Sequence, residues 1–313
     1  MQELIIQTKD LTKIYGEQTV VDRVNIHIRQ GKIYGLLGRN GAGKTTIMKM
    51  MMGLTRITKG EIEIFGQRVE THQKDIYPRI GAIIEAPGFY PNLTGAKNLN
   101  VFARLRGTVS LDAVNEALEL VGLPYNDKKL FSKYSLGMKQ RLGLALAMLG
   151  SPDVLLLDAP MNGLDPEGVR EMRNLIIRLN EQRGITVVVS SHVLDQLGRI
   201  ATRYGVIDAG RIVWEMTANE VTQACGDYLV VRTAEPERTL ALLAEAYPGI
   251  ACTVLPDGTL RLRGVSEERA ALDATVFGTF LAANNIPVYE LRVHERDLED
   301  YFLELMGGDA AHV

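Results

Sequence analysis

The run GRNGAGKTT at residues 38–46 restricts the fold of this chain more than any other feature of the sequence. It fits the spacing G-x-x-x-x-G-K-[ST] and lies between a short apolar run, KIYGLL, and a segment predicted to be helical at 44–53. Glycines let the backbone curl so that its N–H groups face phosphate oxygens, and the following helix adds its positive N-terminal end. The sequence therefore predicts a strand, a phosphate-binding loop and a helix in succession.

Several residues around this loop are candidates for binding a nucleoside triphosphate and Mg²⁺. Lys44 is expected to reach the β- and γ-phosphates, and Thr45 is expected to ligate Mg²⁺ through its hydroxyl. Asp158 ends the apolar run VLLLD and is expected to hold the metal through a water molecule, opposite Thr45. The other candidate cofactor-binding residues of the loop are Gly38, Asn40, Gly41, Gly43 and Thr46.

Predicted strands and helices alternate over residues 1–220, which is typical of an α/β domain with a mainly parallel sheet. Within it, residues 20–30 alternate apolar and polar side chains and predict one half-buried strand. A helix-rich block at about 90–150 is predicted to form an inserted helical subdomain.

The remaining residues, 221–313, predict a small C-terminal accessory α+β domain. Their predicted elements follow the order β-α-β-β-α-β, which is the ferredoxin-like pattern. The pair Asp257-Gly258 predicts a hairpin turn between the second and third of these strands. Ser266, with Glu267 and Glu268 behind it, suits the start of the second helix, and ERDLEDYFLELMGG predicts a final helix.

Composition excludes several functional classes. The chain has 35 basic and 38 acidic residues, a net charge of -3, so it lacks the basic footprint of a nucleic-acid-binding protein. Its two cysteines, Cys225 and Cys252, lie far apart and indicate free thiols. No apolar run approaches the ~20 residues needed to cross a bilayer, and the N-terminus has no apolar signal-peptide region, so any membrane role requires a separate partner.

Further motifs, in order along residues 1–220, resemble those of the ATP-binding subunits of ABC transporters. The run YSLGMKQR resembles the family's signature sequence, NGLD resembles its dimer-contact loop, and SSH carries its switch histidine. The residues that match the family positions are Ser135 and Gly137 in the signature, Asp165 in NGLD, His192 in SSH, and Tyr15, which matches the aromatic residue that stacks on adenine.

This resemblance implies a P-loop ABC ATPase domain that also has an antiparallel β portion. It implies ATP and Mg²⁺ as cofactors and a head-to-tail dimer, either a homodimer or a heterodimer with a second ATP-binding subunit. Each ATP is then expected between one subunit's phosphate loop and the other subunit's signature. The expected partner is a transmembrane permease on a separate chain, with no nucleic acid, and the expected location is cytoplasmic, peripheral on the inner face of the cell membrane.

One departure from the family points to a subgroup. Glu85 stands where the family usually has glutamine, and together with the YPNLTG stretch after it resembles exporters that protect cells against lantibiotics and bacitracin-type peptides. A carboxylate offers Mg²⁺ a charged oxygen, so Glu85 is a candidate metal ligand and catalytic residue. The substrate itself is expected to be set by the permease.

A second departure concerns catalysis. The family has a glutamate that activates the attacking water after the metal-binding aspartate, and this chain has Ala159 in that place, followed by Met161 where threonine is usual. A positioned general base is typically worth about 10²–10⁴ in rate. We therefore expect ATP binding to persist and hydrolysis to be slow, with Glu85 or His192 as candidates for residual catalysis.

Two other functional classes remain open at this point. A regulatory ATP-binding protein without productive turnover agrees with Ala159. A soluble ABC-type ATPase acting on ribosomes or DNA is disfavoured by the single phosphate loop and by the balanced charge.

Overall fold

The fold is that of a computed structural model. The structure describes residues 3–85, 88–107, 111–224, 228–264 and 274–294. The chain divides into two compact units, Met1–Ala218 and Asn219–Val313. None of the helices within the described ranges combines the length and apolar character needed to cross a membrane.

The first unit contains eleven described strands and seven complete described helices. The strands are β1 (Leu4–Tyr15), β2 (Gln18–Val24), β3 (His27–Arg29), β4 (Ile33–Leu37), β5 (Lys59–Ile64), β6 (Gln67–Arg68), β7 (Ile80–Ile83), β8 (Val154–Leu157), β9 (Thr186–Ser191), β10 (Arg203–Asp208) and β11 (Arg211–Thr217). The helices are α1 (Lys44–Met51), α2 (Gln73–Ile76), α3 (Gly95–Leu105), α4 (Leu111–Leu120), α5 (Leu136–Met148), α6 (Pro166–Arg183) and α7 (Leu194–Gly198), and α8 (Ala218–Ala224) follows at the junction.

The main sheet of the first unit is mostly parallel, as the alternating pattern predicts. Its strand order is β11-β10-β4-β9-β8-β7, and only β11 is antiparallel to its neighbour. Every residue of β4, β8 and β9 is buried, because central parallel strands are covered on both faces. Helices α3, α4 and α5 fall between the paired strands β7 and β8, so the helical block is an insertion in this sheet.

A second, antiparallel sheet joins β2, β1, β5 and β6, with β3 also paired to β1. The prediction of one strand over 20–30 is wrong, because the segment forms β2 and β3 with a break at Asn25 and Ile26. The break follows from Arg23, whose φ of 48° lies in the left-handed region, and from the Thr8 hydroxyl. That hydroxyl donates to the Val24 carbonyl at 2.8 Å and accepts from the Ile26 N–H at 2.9 Å.

The second unit has the predicted order of elements. These are β12 (Tyr228–Thr233), α9 (Pro236–Ala246), β13 (Ile250–Val254), β14 (Leu260–Gly264), α10 (Ala274–Ala283) and β15 (Val288–His294). The four strands form an antiparallel sheet in the order β13-β14-β12-β15. Gly258 turns the β13–β14 hairpin with a φ of 82°. The predicted helix start at Ser266, Glu267 and Glu268 and the predicted final helix lie outside the described residues.

Candidate functional site

Several of the predicted site residues lie at the carboxyl ends of four neighbouring parallel strands of the main sheet, β4, β9, β8 and β7. Leu37, the last residue of β4, pairs with Ser191 of β9, and the Gly38 N–H donates to the Ser191 carbonyl at 3.2 Å. On the other side, the Asp158 N–H donates to the Ile83 carbonyl at the end of β7 at 2.8 Å. The phosphate loop, the SSH run, Asp158 and Glu85 therefore leave the sheet from adjacent positions.

The loop before α1 has a backbone that only glycines adopt easily. Gly41 and Gly43 have φ values of 82° and 110°, in the region that side chains disfavour. A Cβ atom on Gly38 would overlap the Ile207 carbonyl, and one on Gly43 would lie 2.9 Å from the Val20 carbonyl oxygen. The loop thus requires glycine at Gly41 for its backbone conformation, at Gly38 for space, and at Gly43 for both reasons.

The N-terminus of α1 is left for an anion. Gly43 caps it without a side-chain hydrogen bond, and the first turn has no acidic residue, so its N–H groups have no competing carboxylate. The Lys44 ammonium donates to the carbonyls of Gly38 at 2.7 Å and Arg39 at 2.9 Å, which holds it within the loop. Burial lowers the pKa of Lys44, and the negative charge of Asp158 raises it by a smaller amount. A bound anion would therefore stabilise the charged ammonium. Asn40 is exposed in the same loop, and Thr46 is half-buried in the first turn.

Thr45, Asp158 and Ser190 form a hydrogen-bonded chain at the base of this loop. The Thr45 hydroxyl donates to Asp158 Oδ2 at 2.6 Å, and the Ser190 hydroxyl donates to Asp158 Oδ1 at 2.6 Å. Ser190 is fully buried, and its Oγ also accepts the Ala159 N–H at 2.8 Å. Sequence reasoning missed Ser190, because the SSH run indicates only its histidine.

This set of oxygens fits Mg²⁺ bound together with phosphates. Mg²⁺ in nucleotide sites takes one or two protein oxygens, and substrate phosphates and water supply the others. Thr45 and Asp158 provide two such oxygens within 2.6 Å of each other. No group of three or more His, Cys, Asp or Glu side chains suited to holding a metal ion occurs in the part of the chain that the structure describes, so an all-protein metal cage is not found there.

Ala159 follows Asp158 directly and has a methyl group where a proton acceptor is expected. Its φ is 47°, an uncommon conformation for a residue with a side chain. The Ser190 hydroxyl fixes its N–H, and its carbonyl accepts the Asn162 N–H at 3.1 Å. Met161 is fully buried, so its side chain is part of the core.

Glu85 is bound by a lysine of α1. Its φ is 63°, and its carboxylate accepts the Lys49 ammonium at 2.5 Å. The Glu85 side chain is 66% exposed, so the ion pair lies in water and is readily exchanged. The hydrogen bond to Glu85 is the main cause that raises the pKa of Lys49. The carboxylate proposed for Mg²⁺ thus has a competing cation in the structure.

The signature and the NGLD loop form one surface. Ser135 caps α5, its Oγ accepting the Met138 N–H at 3.2 Å, and Gly137 lies in the first turn. A Cβ atom on Gly137 would lie 3.8 Å from the Leu164 side chain, so the two motifs are neighbours. Asp165 caps α6 through the Gly168 N–H at 2.9 Å.

The remaining predicted residues lie at strand ends. His192 is exposed directly after β9. Tyr15 ends β1 and is 49% exposed, and its hydroxyl lies 3.2 Å from the Thr55 hydroxyl.

Comparison with known proteins identifies the family. A model of the ABC transporter family matches residues 21–162. The chain is 43% identical over 308 residues to the bacitracin transport ATP-binding protein BcrA of Enterococcus faecalis, covering 98% of each chain. The chain belongs to the ABC transporter ATP-binding family. The resemblance deduced from the motifs is thereby confirmed.

Other members extend this comparison. BcrA of Bacillus licheniformis is 42% identical over 304 residues, covering 97% of this ABC chain and 98% of its own. The lantibiotic transport ATP-binding protein SrtF of Streptococcus pyogenes is 41% identical over 211 residues, 67% of this chain and 90% of SrtF. A solved ATP-binding subunit of an ABC transporter superposes with a TM-score of 0.61 at 27% identity, covering 70% of this chain and 92% of that one.

Proposed function

We propose that this ABC chain is the ATP-binding subunit of an exporter for bacitracin-type peptide antibiotics. It binds Mg-ATP and drives a permease on a separate membrane-spanning chain, so it works at the cytoplasmic face of the membrane. The proposal of nucleotide binding rests on one observation: the phosphate loop lies beside Asp158, which accepts a hydrogen bond from Thr45 of that loop. Full-length similarity to two bacitracin transport proteins supports the substrate class.

The nucleotide is held by backbone groups, by the Lys44 side chain, and through its Mg²⁺ by the Thr45 and Asp158 side chains. The curled loop and the N-terminus of α1 bind the phosphates, and the Lys44 ammonium adds a positive charge. Mg²⁺ bound with ATP neutralises charge on the phosphate oxygens. Thr45 and Asp158 hold the metal, and the Ser190 hydroxyl keeps the Asp158 carboxylate in place.

Two ATP-binding subunits close on the nucleotide head to tail. Ser135 is exposed at the N-terminus of α5, and the adjacent Leu136 is 45% exposed, which suits burial against a second subunit. Asp165 anchors the neighbouring loop to α6. The second subunit is another copy of this chain or a different ATP-binding subunit.

Hydrolysis at the chain's own site is slow. A water molecule that attacks the γ-phosphate must lose a proton, and the Ala159 methyl group cannot accept one. The contacts that bind the nucleotide do not involve this methyl group. Ala159 also favours a second candidate function, that of a regulatory ATP clamp without productive turnover.

The test compares Ala159→Glu with Ala159→Gln in the purified full-length chain. Glutamate supplies a base and glutamine has the same size without one, so only Ala159→Glu should raise phosphate release, by about 10²–10⁴. Lys44→Ala should strongly weaken binding of labelled ATP in every background. Equal rates for the two substitutions, or turnover by the unmodified chain at ordinary transporter rates, would contradict the loss of the base.

The proposed membrane partner and the proposed substrate are tested with membranes and with intact cells. A tagged chain purified from detergent-solubilised membranes of its own cell should bring down a protein with several membrane spans. Deleting the gene for the chain should make that cell more sensitive to bacitracin. Recovery of the chain without a membrane protein, and unchanged sensitivity, would favour the regulatory clamp.

A further inference from the structure

The sheet of the second unit buries side chains on both of its faces. Successive residues of a strand point to opposite faces, so Leu229 and Val231 of β12 lie on one face, and Tyr228 and Val230 lie on the other. The first pair packs against α9 and α10 in the core of this unit. Tyr228 and Val230 point away from that core, yet they are only 7% and 8% exposed. The second face is therefore covered as well.

Arginine side chains surround this second pair. Val230 pairs with Arg261 of β14 on one side and with Arg292 of β15 on the other, and residues paired in this way point to the same face. The Arg261 guanidinium lies 5.1 Å from the centroid of the Tyr228 ring. Arg232, two residues further along β12, is exposed. These five residues form what we call the arginine face.

The arginine face has an excess of positive charge. Among the residues that the structure describes, its ion pairs involve one carboxylate, that of Glu290, which lies 2.6 Å from Arg292 and 3.8 Å from Arg232. Three arginines thus share one acidic side chain within the described ranges. A surface that matches this face must be apolar over Val230 and acidic at its margins.

The covering surface lies towards β15, the edge strand next to β12. Thr253 of β13 pairs with Arg261 and therefore points to the same face, where it and Ala251 are exposed. The far side of the face is thus open. On the near side, His294 ends β15 and pairs with Tyr228. The chain that follows His294 therefore starts beside the buried tyrosine.

The next segment of the chain, residues 295–308, has the required chemistry. It lies outside the described residues, and its sequence, ERDLEDYFLELMGG, contains five acidic residues and one arginine. Four of its apolar residues have the i, i+3, i+4, i+7 spacing of one helix face. These residues, which we call the apolar stripe, are Leu298, Tyr301, Phe302 and Leu305.

We propose that residues 295–308 form a helix that docks on the arginine face of the same chain. The apolar stripe lies over Tyr228 and Val230, and the carboxylates beside the stripe lie against the arginines. The segment is tethered directly to β15, so its effective concentration at the face is high and weak contacts suffice to hold it. The sheet of the second unit then has a helical layer on each side.

The test is hydrogen exchange of the full-length chain, with mass spectrometry of peptides from residues 295–308. Docking should slow the exchange of these amides about tenfold or more relative to a free peptide of the same sequence. Arg261→Glu combined with Arg292→Glu should remove most of this protection, because attraction to the acidic segment becomes repulsion. Arg238→Glu is the matched control, since this exposed arginine lies on α9 at the opposite face and pairs with Glu235. It should leave the segment unchanged.

The segment provides a second matched pair of variants. In a helix, Glu304 lies beside the apolar stripe and Asp300 lies on the side opposite to it. Glu304→Arg should therefore reduce the protection about threefold or more, and Asp300→Arg should leave it unchanged. Adding Glu299→Arg and Glu304→Arg to the two arginine reversals should restore protection, because the two surfaces again carry opposite charges.

Three results would overturn the proposal. The first is exchange of residues 295–308 at the rate of the free peptide in the unmodified chain, and the second is an equal effect of Asp300→Arg and Glu304→Arg. The third is protection that rises with protein concentration, which would identify a second copy of the chain as the covering surface. Peptides from α9 report the fold of the second unit in each variant. If the arginine reversals unfold it, the two substitutions in the segment still decide between docking and its absence.

Discussion

At the scale of single residues, the Asp158 carboxylate is held in place by two hydroxyl groups, one hydrogen-bonded to each of its oxygens. Thr45 comes from the phosphate loop, so in the proposed Mg²⁺ site its bond to Asp158 would be exchanged for one to the metal. Ser190 comes from the buried strand β9 and also binds the Ala159 N–H, so its bond is independent of nucleotide. Ser190 therefore acts as the fixed support for both the carboxylate proposed to bind Mg²⁺ and the uncommon backbone at residue 159.

Ser190→Ala should impair Mg²⁺ binding as well as stability. It leaves a buried N–H and a carboxylate oxygen without a partner, which costs about 1–3 kcal/mol in the free energy of unfolding. The released carboxylate should also raise the Mg²⁺ concentration needed for half-maximal ATP binding several-fold. Urea unfolding and Mg²⁺ titration of ATP binding measure the two effects.

The adjacent Ser191 provides the control for this prediction. It is fully buried like Ser190, but its hydroxyl binds Gln196 and the Val193 N–H. Ser191→Ala should lower stability without changing the Mg²⁺ requirement. A Ser190→Ala variant with normal Mg²⁺ dependence would show that Asp158 needs no such support.

At the scale of elements, the C-terminus of α1 depends on Gly53. Its φ of 64° closes a Schellman motif, in which the Gly53 N–H donates to the Met50 carbonyl at 3.0 Å and the Leu54 N–H donates to the Lys49 carbonyl at 2.8 Å. A Cβ atom on Gly53 would overlap the Tyr77 hydroxyl. Because this turn leads directly to Thr55, whose hydroxyl lies 3.2 Å from the Tyr15 hydroxyl, the helix end also helps to determine where that ring lies.

Gly53→Ala should therefore be more harmful than an ordinary substitution of a left-handed glycine. Gly66 is the matched control, since its φ is 72° and a Cβ atom there would have no neighbouring atom within 4 Å. Gly66→Ala should cost about 1–2 kcal/mol from conformation alone. Gly53→Ala should cost about 1–3 kcal/mol more, from overpacking against Tyr77. Chemical unfolding of both variants gives the difference.

Tyr77→Phe supplies a second check on the same contact. Removing the hydroxyl creates space, so Gly53→Ala should cost less in the Tyr77→Phe background than in the natural one. If the losses in the free energy of unfolding are additive in the double variant, the cost of Gly53→Ala comes from its backbone conformation and not from contact with Tyr77.

Elements were predictable where their signal is local. The apolar run before Asp158 predicted β8, and the glycine loop predicted α1. Strand β1 was not predicted, because register shifts near Asp10, with a φ of 47°, interrupt its alternation. Its buried polar residues Thr8 and Lys13 are satisfied by distant groups, and such partners are not visible in a local pattern.

In the candidate site too, residues with a local sequence signal could be predicted and those that depend on distant partners could not. The loop glycines, Lys44 and Thr45 could be assigned because one continuous motif contains them. Ser190 could not, because its role depends on strand β9 lying beside β8 in the folded sheet. The Lys49–Glu85 ion pair joins residues 36 positions apart, and nothing in the spacing indicates it.

At the scale of the whole molecule, each unit has its own hydrophobic core. The second unit buries Leu229 and Val231 of its central strand against Leu243 of α9 and Phe277 and Leu281 of α10. We therefore expect the first unit to fold without the second. SrtF agrees with this, since 90% of its length is matched by 211 residues, about the length of the first unit.

A chain ending at Thr217, the last residue of β11, should thus fold and bind Mg-ATP with a dissociation constant within about twofold of the full-length value. The reason is that every residue proposed to bind nucleotide precedes β10, and the core around the phosphate loop draws its buried residues from before residue 208. Calorimetry with ATP and thermal unfolding test this directly. Full-length chain carrying Leu229→Asp is the companion variant, because an unpaired charge in the second core should unfold that unit. If the shortened chain and the Leu229→Asp variant both lose ATP binding, the first unit does not fold by itself and the prediction is wrong.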